Sequence, residues 1–593
     1  MMVSTLVWVL SGLLLYTLVA TALQSWGVLP SSVRVSGPIT TIHTQRGKEF
    51  LDWLAGPKRF WRAWANVGVG IALVVMAGSF LAVLFSAVRI FNQPESTVIR
   101  QPQDALVIPG VNQFLPLSVA PEIVFGLLVG LVVHEGGHGL LCRVEDIDIE
   151  SMGLALLAVI PMGAFVEPDE ESQARADRGD RTRMFAAGVT NNFAITVIAF
   201  ALLFGPVVGS IAAAPGVPVG GALNGTPAAD AGIDRGDVIT HIDGQQVANA
   251  SEFDAALADA NRTVAVSLQD GNTTTVQRSV VVTSAVVDGP LATGTSIEAV
   301  NGTAVGTENA FHAALENRST AQLSTDNGTV TMPVGAAATV TPGGPLANAS
   351  DGLAGESVVV TRIAGERTPN RSALSDVLDG TEPNERVRVE AVVNDDRGNY
   401  SVQLNENPDT GNGFLGVRIS PGTTGIVVDD FGIQSYPASQ YLGLLGGGGG
   451  DGAGGAGGLG GSLVAQFLAV ISLPFAGAVP GSSGLVSFAG FVGPVRNYFT
   501  ITGPLSFLGG SVFTLANVLF WTGWINVNLG LFNCIPSFPL DGGHIFRAST
   551  EAVVSRLPIG SRQALAGAVT TAVTLTMIGA LVVMIFGPTV LAG

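Results

Sequence analysis

In the stretch Leu-Val-Val-His-Glu-Gly-Gly-His-Gly-Leu-Leu-Cys, His134, Glu135 and His138 stand inside an otherwise apolar run. Histidines at i and i+4 share one face of an α-helix, about one turn apart, the spacing that lets two imidazoles hold a single metal ion. Glu135 sits beside them, placed to take a proton from water at that ion. An ionisable side chain at the centre of a membrane helix costs about 2.5 to 3.5 kcal/mol on insertion scales. Three polar groups and Gly136, Gly137 and Gly139 at this depth therefore point to chemistry rather than to packing.

A catalytic zinc takes three protein ligands and leaves one position open. The third ligand is sought near Asn-Val-Asn-Leu-Gly-Leu-Phe-Asn-Cys-Ile-Pro-Ser-Phe-Pro-Leu-Asp-Gly-Gly-His, which ends a later apolar stretch. Pro536 and Pro539 remove backbone donors and break a helix, so Asp541 is held at the break, where a carboxylate needs a cation. His544 competes as a ligand and reads alternatively as an interface histidine. Cys142 and Cys534 flank the two motifs and read as packed thiols.

The elements that must position these residues are membrane helices. The chain has 593 residues, 47% hydrophobic and only 12% charged, with a net charge of −18. This excludes a disordered chain, a disulfide scaffold and a nucleic-acid binder, which needs a basic face. Apolar stretches long enough to cross about 30 Å of hydrocarbon occur near 3–25, 64–91, 121–142, 184–213, 505–534 and 564–588, predicting about six transmembrane helices. Arginines and lysines concentrate in 26–63, 143–183 and 545–563, which places those loops in the cytoplasm; the 92–120 loop and the insert then face outward. The apolar segment 463–479 is expected to be re-entrant or surface-lying. Residues 215–440 hold 27 acidic side chains against 11 Arg and no Lys, a net of −16 out of −18. That acidic, Lys-poor composition is similar to haloarchaeal proteins. The glycine run from Gly446 to Gly461 predicts a flexible tether.

Together, the two motifs at membrane depth and in this order resemble the site-2 protease family of intramembrane zinc metalloproteases. The resemblance implies one zinc ion held by His134, His138 and Asp541, Glu135 as general base and acid, and Asn533 as a polar residue of the cleft. Ala-Ala-Gly-Val-Thr-Asn-Asn-Phe-Ala at 186–194 resembles a further family element, with Val189 where proline is usual; Asn192 is then a cleft residue or a packing amide. The family places a membrane re-entrant β-hairpin at Met152–Glu171, where an exposed strand edge could pair with an unwound substrate. From Asn224, Asn-Gly-Thr-Pro-Ala-Ala-Asp-Ala-Gly-Ile-Asp-Arg-Gly-Asp-Val-Ile resembles a PDZ domain of bacterial protease type, with a helix capped near Ser251. Weaker echoes at 295–315 and 358–378 imply two or three such units, and a PDZ groove takes chain ends by strand addition.

The expected fold is a multi-pass α-helical membrane protein with a re-entrant β-hairpin and inserted α+β PDZ-like domains. Its expected divisions are N-terminal helices at 1–92, a first catalytic core segment at 119–214, an extracytoplasmic insert at 215–440 whose first unit covers about 220–284, a tether at 441–462, a second catalytic core segment at 463–545 and a last helix at 564–590. The expected function is an intramembrane zinc endopeptidase of the cell membrane, active towards the cytoplasmic side. Its expected partners are membrane-protein substrates, lipid and chain ends on the insert, without nucleic acid. A PDZ-bearing scaffold and a metal transporter are the alternatives.

Overall fold

The computed structural model describes residues 2–92, 108–111, 115–158, 160–286, 289–350, 352–394, 396–408, 410–446, 463–478, 487–558 and 561–591. Its elements run α1 (Met2–Ser25), β1 (Val33–Ser36), β2 (Ile39–His43), α2 (Gln45–Leu54), α3 (Lys58–Asn92), α4 (Ala120–Val144), β3 (Ile149–Leu157), β4 (Ile160–Pro168), α5 (Glu170–Arg175) and α6 (Arg178–Leu202). The insert contributes α7 (Ala250–Ala258), α8 (Glu308–Leu315) and α9 (Arg371–Asp379). The chain closes with α10 (Ser511–Asn533), α11 (Asp541–Val554) and α12 (Arg562–Leu591).

Five helices among the described residues, α3, α4, α6, α10 and α12, are long and apolar enough to cross a bilayer. The first expected crossing coincides with α1, whose apolar described stretch is the shorter Leu10–Ser25. The segment Leu463–Ser472 forms a ten-residue helix that continues as 3-10 turns over Leu473–Ala478; the Trp524 indole on α10 donates to its Ile471 carbonyl at 2.9 Å. Residues 93–107 and 112–114 of the expected outward loop, and 447–462 of the expected tether, lie outside the described residues.

Small residues bring the central helices together. A methyl group at Gly126 or Gly130 would strike α10, at 3.0 Å from the Trp521 carbonyl and 2.6 Å from Leu529; one at Gly137 would lie 2.9 Å from the Ala187 carbonyl on α6. Without a hydrophobic drive inside lipid, such close approach supplies the packing contacts that hold helices together. Pro121 and Glu122 occupy the first turn of α4 and Arg143 its last; proline costs no helical hydrogen bond there, and the order of the two charges suits the helix dipole. α6 runs unbroken through Val189.

The expected hairpin is present as β3 and β4, antiparallel, with Met152 opposite Val166 and Gly153 opposite Phe165. It is not alone: the sheet order is β1-β2-β3-β4. The basic segment 26–63, read as a loop, thus supplies two strands, with β2 pairing Ile42 to Leu154. β4 remains the edge.

The insert contains three six-stranded antiparallel sheets, each with its own apolar core and a helix of eight or nine residues. They are nested. The first sheet holds strands between Val217 and Gln277 and is completed by Ile433–Ser435; the second runs from Val280 to Pro333 and is completed by Ile426–Asp429; the third runs from Ala336 to Gln403 and is completed by Val417–Ile419. The return strands occur in reverse order, so the third unit sits within the second and the second within the first. Equivalent caps start α7, α8 and α9, from Asn249, Thr307 and Asn370. The cap of α7 therefore lies two residues before the expected Ser251, because Asn249 Oδ1 accepts from Glu252 N at 2.9 Å while Glu252 Oε2 accepts from Ala248 N at 2.8 Å. Tyr498 fastens the first unit to the helical region: its hydroxyl accepts from Gly236 N at 2.8 Å and donates to the Val219 carbonyl.

Candidate active site

His134 and His138 project from one face of α4, and Asp541 opens α11, just after the break that Pro536 and Pro539 impose on the end of α10. The three ligand atoms converge. Asp541 Oδ2 lies 3.1 Å from His134 Nε2 and 3.3 Å from His138 Nε2, and the two Nε2 atoms are 3.2 Å apart. Asp541 Oδ2 is buried and accepts no hydrogen bond. Three potential ligand atoms aimed at one point, one of them a buried oxygen without a hydrogen-bond partner, form a group that could hold a metal ion. A two-histidine, one-carboxylate set suits zinc with an open fourth position. His544 does not join the group; its ring stacks on Phe185 at 4.3 Å and meets Phe538 edge-on at 4.9 Å.

The opposite ring nitrogens are held in turn. His138 Nδ1 lies 2.9 Å from the Met184 carbonyl, so Nδ1 donates and Nε2 keeps its lone pair. His134 Nδ1 lies 3.3 Å from the amide of Asn192, a fully buried residue whose carbonyl oxygen has no partner in this orientation. Rotating that amide by half a turn presents the oxygen to His134 Nδ1–H and satisfies both groups. Asn192 is absent from the lining of the cavity beside the ligands, so it touches the back of a ligand rather than the cleft expected for it. Asn533 does line the cavity, and its amide nitrogen donates to Leu529 O at 3.0 Å, leaving its carbonyl oxygen for other partners.

Glu135 faces the same cavity, of about 490 Å³, which reaches from the ligand triad past Val166 and Pro168 on β4 to Gln173 and Arg181. Glu135 Oε2 accepts from Val166 N at 3.0 Å. That N–H belongs to the outer side of the edge strand, turned away from β3. The arrangement joins a carboxylate, a potential metal site and a strand edge in one cavity.

Reading the sequence missed several residues of this site. Gly188 on α6 packs so closely that an added Cβ would lie 2.7 Å from His138 Nε2 and 2.8 Å from His134 Cε1. Met184 and Val166 act through their backbones, which no side-chain pattern reveals. Arg181 was legible only as one of several basic loop residues. Cys142 and Cys534 are buried and unpaired by a disulfide, as packed thiols are.

Residues 122–578 match the model of peptidase family M50. Over 148 residues, 24% of this chain, the sequence is 29% identical to an uncharacterized protein of Methanocaldococcus jannaschii, and the match spans 38% of that relative's length. Most of the helical region, both ligand motifs and the cavity between them fall within the matched range, and the chain belongs to peptidase family M50, the site-2 protease family of membrane zinc metallopeptidases.

Proposed function

We propose that the chain is an intramembrane zinc endopeptidase that cuts transmembrane segments of other membrane proteins, with its active site towards the cytoplasm and its acidic insert outside. The observation that carries this reading is the convergence of His134, His138 and Asp541 at 3.1–3.3 Å, with Glu135 on the same cavity and His134, Glu135 and His138 all on α4, a helix fit to cross a bilayer. Zinc, when bound, polarises a peptide carbonyl and lowers the pKa of water to about 7.

The chain's own residues supply the rest. Glu135 accepts a proton from the attacking water at its carboxylate and delivers it to the leaving amine. An extended substrate segment pairs with the open edge of β4, which fixes the backbone without demanding a sequence. The Asn533 carbonyl oxygen accepts a substrate N–H. A helix has no free backbone groups for such pairing, so the substrate must unwind first.

The three sheet-and-helix units of the insert read as PDZ-like modules whose grooves receive chain ends. A substrate already trimmed outside the membrane fits such a gate, and its acidity suits a salty exterior. The substrate class is then single-span proteins in regulated proteolysis.

The test is zinc content and cleavage of a single-span model substrate by wild type, Glu135→Gln and Asp541→Ala. Glu135→Gln is expected to keep zinc and lose cleavage by about 10²- to 10⁴-fold. Asp541→Ala is expected to lose zinc and activity together. Undiminished cleavage by Glu135→Gln would sink the mechanism; a chain that holds no zinc would favour the scaffold.

A further inference from the structure

Residues 143–183 contain five arginines, and four of them are balanced by carboxylates. Arg143 pairs with Asp52 at 3.0 Å, Arg175 with Glu171 at 3.7 Å, Arg178 with Glu551 at 3.8 Å and Arg183 with Glu145 at 2.6 Å. Arg181 has no ion pair among the described residues. Its Nε is buried without a hydrogen-bond partner, and its side chain lines the cavity that also holds the ligand triad and Glu135. A guanidinium stays charged at any physiological pH and carries its donors in a rigid planar fork. Leaving one of those donors buried and unmet is destabilising, and a carboxylate is the group whose two oxygens match the fork. The Gln173 amide lines the same cavity and adds a further donor.

Position along α6 gives the register. Arg181 precedes Gly188, the residue pressed against both histidine rings, by seven positions. At 1.5 Å per residue that is about 10 Å along the helix, or about three residues of an extended chain at roughly 3.3 Å each. We propose that Arg181 sets the substrate specificity of this peptidase: it binds an Asp or Glu side chain about three residues from the scissile bond, on the side where the substrate leaves the cavity past the first turn of α6. The assignment rests on the peptidase reading above. A shared lining with the ligand triad favours a substrate carboxylate over a lipid phosphate, which would meet arginines on the outer rim.

The experiment uses the full-length, zinc-loaded chain in nanodiscs and one single-span peptide, made with Asp or Asn at successive positions on that side of the scissile bond. For wild type, the ratio of kcat/KM for Asp over Asn is expected to peak about three residues away at roughly tenfold, with the change in KM. In Arg181→Gln the ratio should fall to about one, in Arg181→Lys it should be partly restored, and in Arg181→Glu a Lys-bearing peptide should become the preferred substrate. Binding of the same labelled peptides to Glu135→Gln, with and without Arg181→Gln, reads the preference without turnover. If wild type cleaves none of the peptides yet Glu135→Gln binds the Asp series preferentially and loses that preference with Arg181→Gln, the peptidase reading and the register fail while Arg181 stands as the carboxylate-binding side chain of the cavity. A flat ratio in binding, a preference that survives Arg181→Gln, or a response that follows anionic lipid content instead of peptide charge overturns the assignment.

Discussion

An added methyl at Gly188 would come within 3.0 Å of both ligand rings, closer than real side-chain contacts allow, so the metal triad constrains a residue that has no functional group of its own. Gly188→Ala is expected to lower zinc affinity about 10- to 100-fold, the range seen when groups that orient ligands are disturbed. Gly136→Ala is the matched comparison: it lies inside the ligand motif, yet its methyl would meet nothing within 4 Å, and helix propensity favours alanine by about 1 kcal/mol. Zinc retention in a chelator competition should drop for the first variant and hold for the second; the reverse order would contradict the packing. The contrast also marks what the sequence could and could not disclose about the site. His134, Glu135, His138 and Asp541 were legible because their spacing and their cost in lipid are local properties. Gly188 was not, since its importance comes from which helix lies against which. Asn192 reads from sequence as a cleft residue or a packing amide, because nothing local tells that α6 turns it to the back of His134.

At the scale of elements, the edge strand β4 connects the four-stranded sheet to the chemistry. Val166 N–H holds Glu135 Oε2 at 3.0 Å, so one backbone donor orients the proposed base before substrate arrives. Val166→Pro removes that donor, and an edge strand is a place where proline is tolerated because its outer N–H does not belong to the ladder. A hydrogen bond to a charged group contributes about 1.5–3 kcal/mol. Cleavage is therefore expected to fall by roughly 10- to 100-fold while zinc content stays at the wild-type level. Equal loss of zinc would show instead that the strand supports α4 as a whole. The hairpin itself was visible as a short apolar run split by Pro161 and Gly163. Its partners β1 and β2 were hidden, because each is short and carries basic or polar residues, and because β2 meets β3 across more than a hundred residues of chain. A pairing of that separation leaves no periodic trace in either strand.

Across the whole molecule, the nested insert concentrates buried charge where the chain passes twice between the first and second units. Arg278 lies on the outward pass and Asp430 on the return; they form a buried ion pair, Arg278 also donates to the Ala260 and Asn261 carbonyls, and Asp430 accepts from Glu308 N at the start of α8. Two or three units were legible as echoes of one pattern, but not the order of their return strands, because those strands are only three or four residues long and follow one another within 417–435. Beside this pair, Asp429 accepts from Phe431 N at 2.9 Å and from Gly432 N. Burial pushes its carboxyl up to about 7, and the neighbouring Glu308 and Asp430 carboxylates push the same way against those two hydrogen bonds. The unfolded value is near 3.9, so the folded state binds this proton more tightly. The stability that it contributes is fully present below about pH 4 and is lost as pH rises from there through about 7. Asp429→Asn keeps a carbonyl oxygen for the two N–H groups and removes the titration. The thermal midpoint of the sheets, followed by circular dichroism on the full chain at constant high salt to screen the insert's net charge of −16, should fall from pH 5 to pH 8 more steeply in wild type than in Asp429→Asn. The variant should be the more stable of the two above pH 7. Parallel profiles would mean that the carboxyl titrates alike in both states, and the junction would then owe nothing to the burial of Asp429.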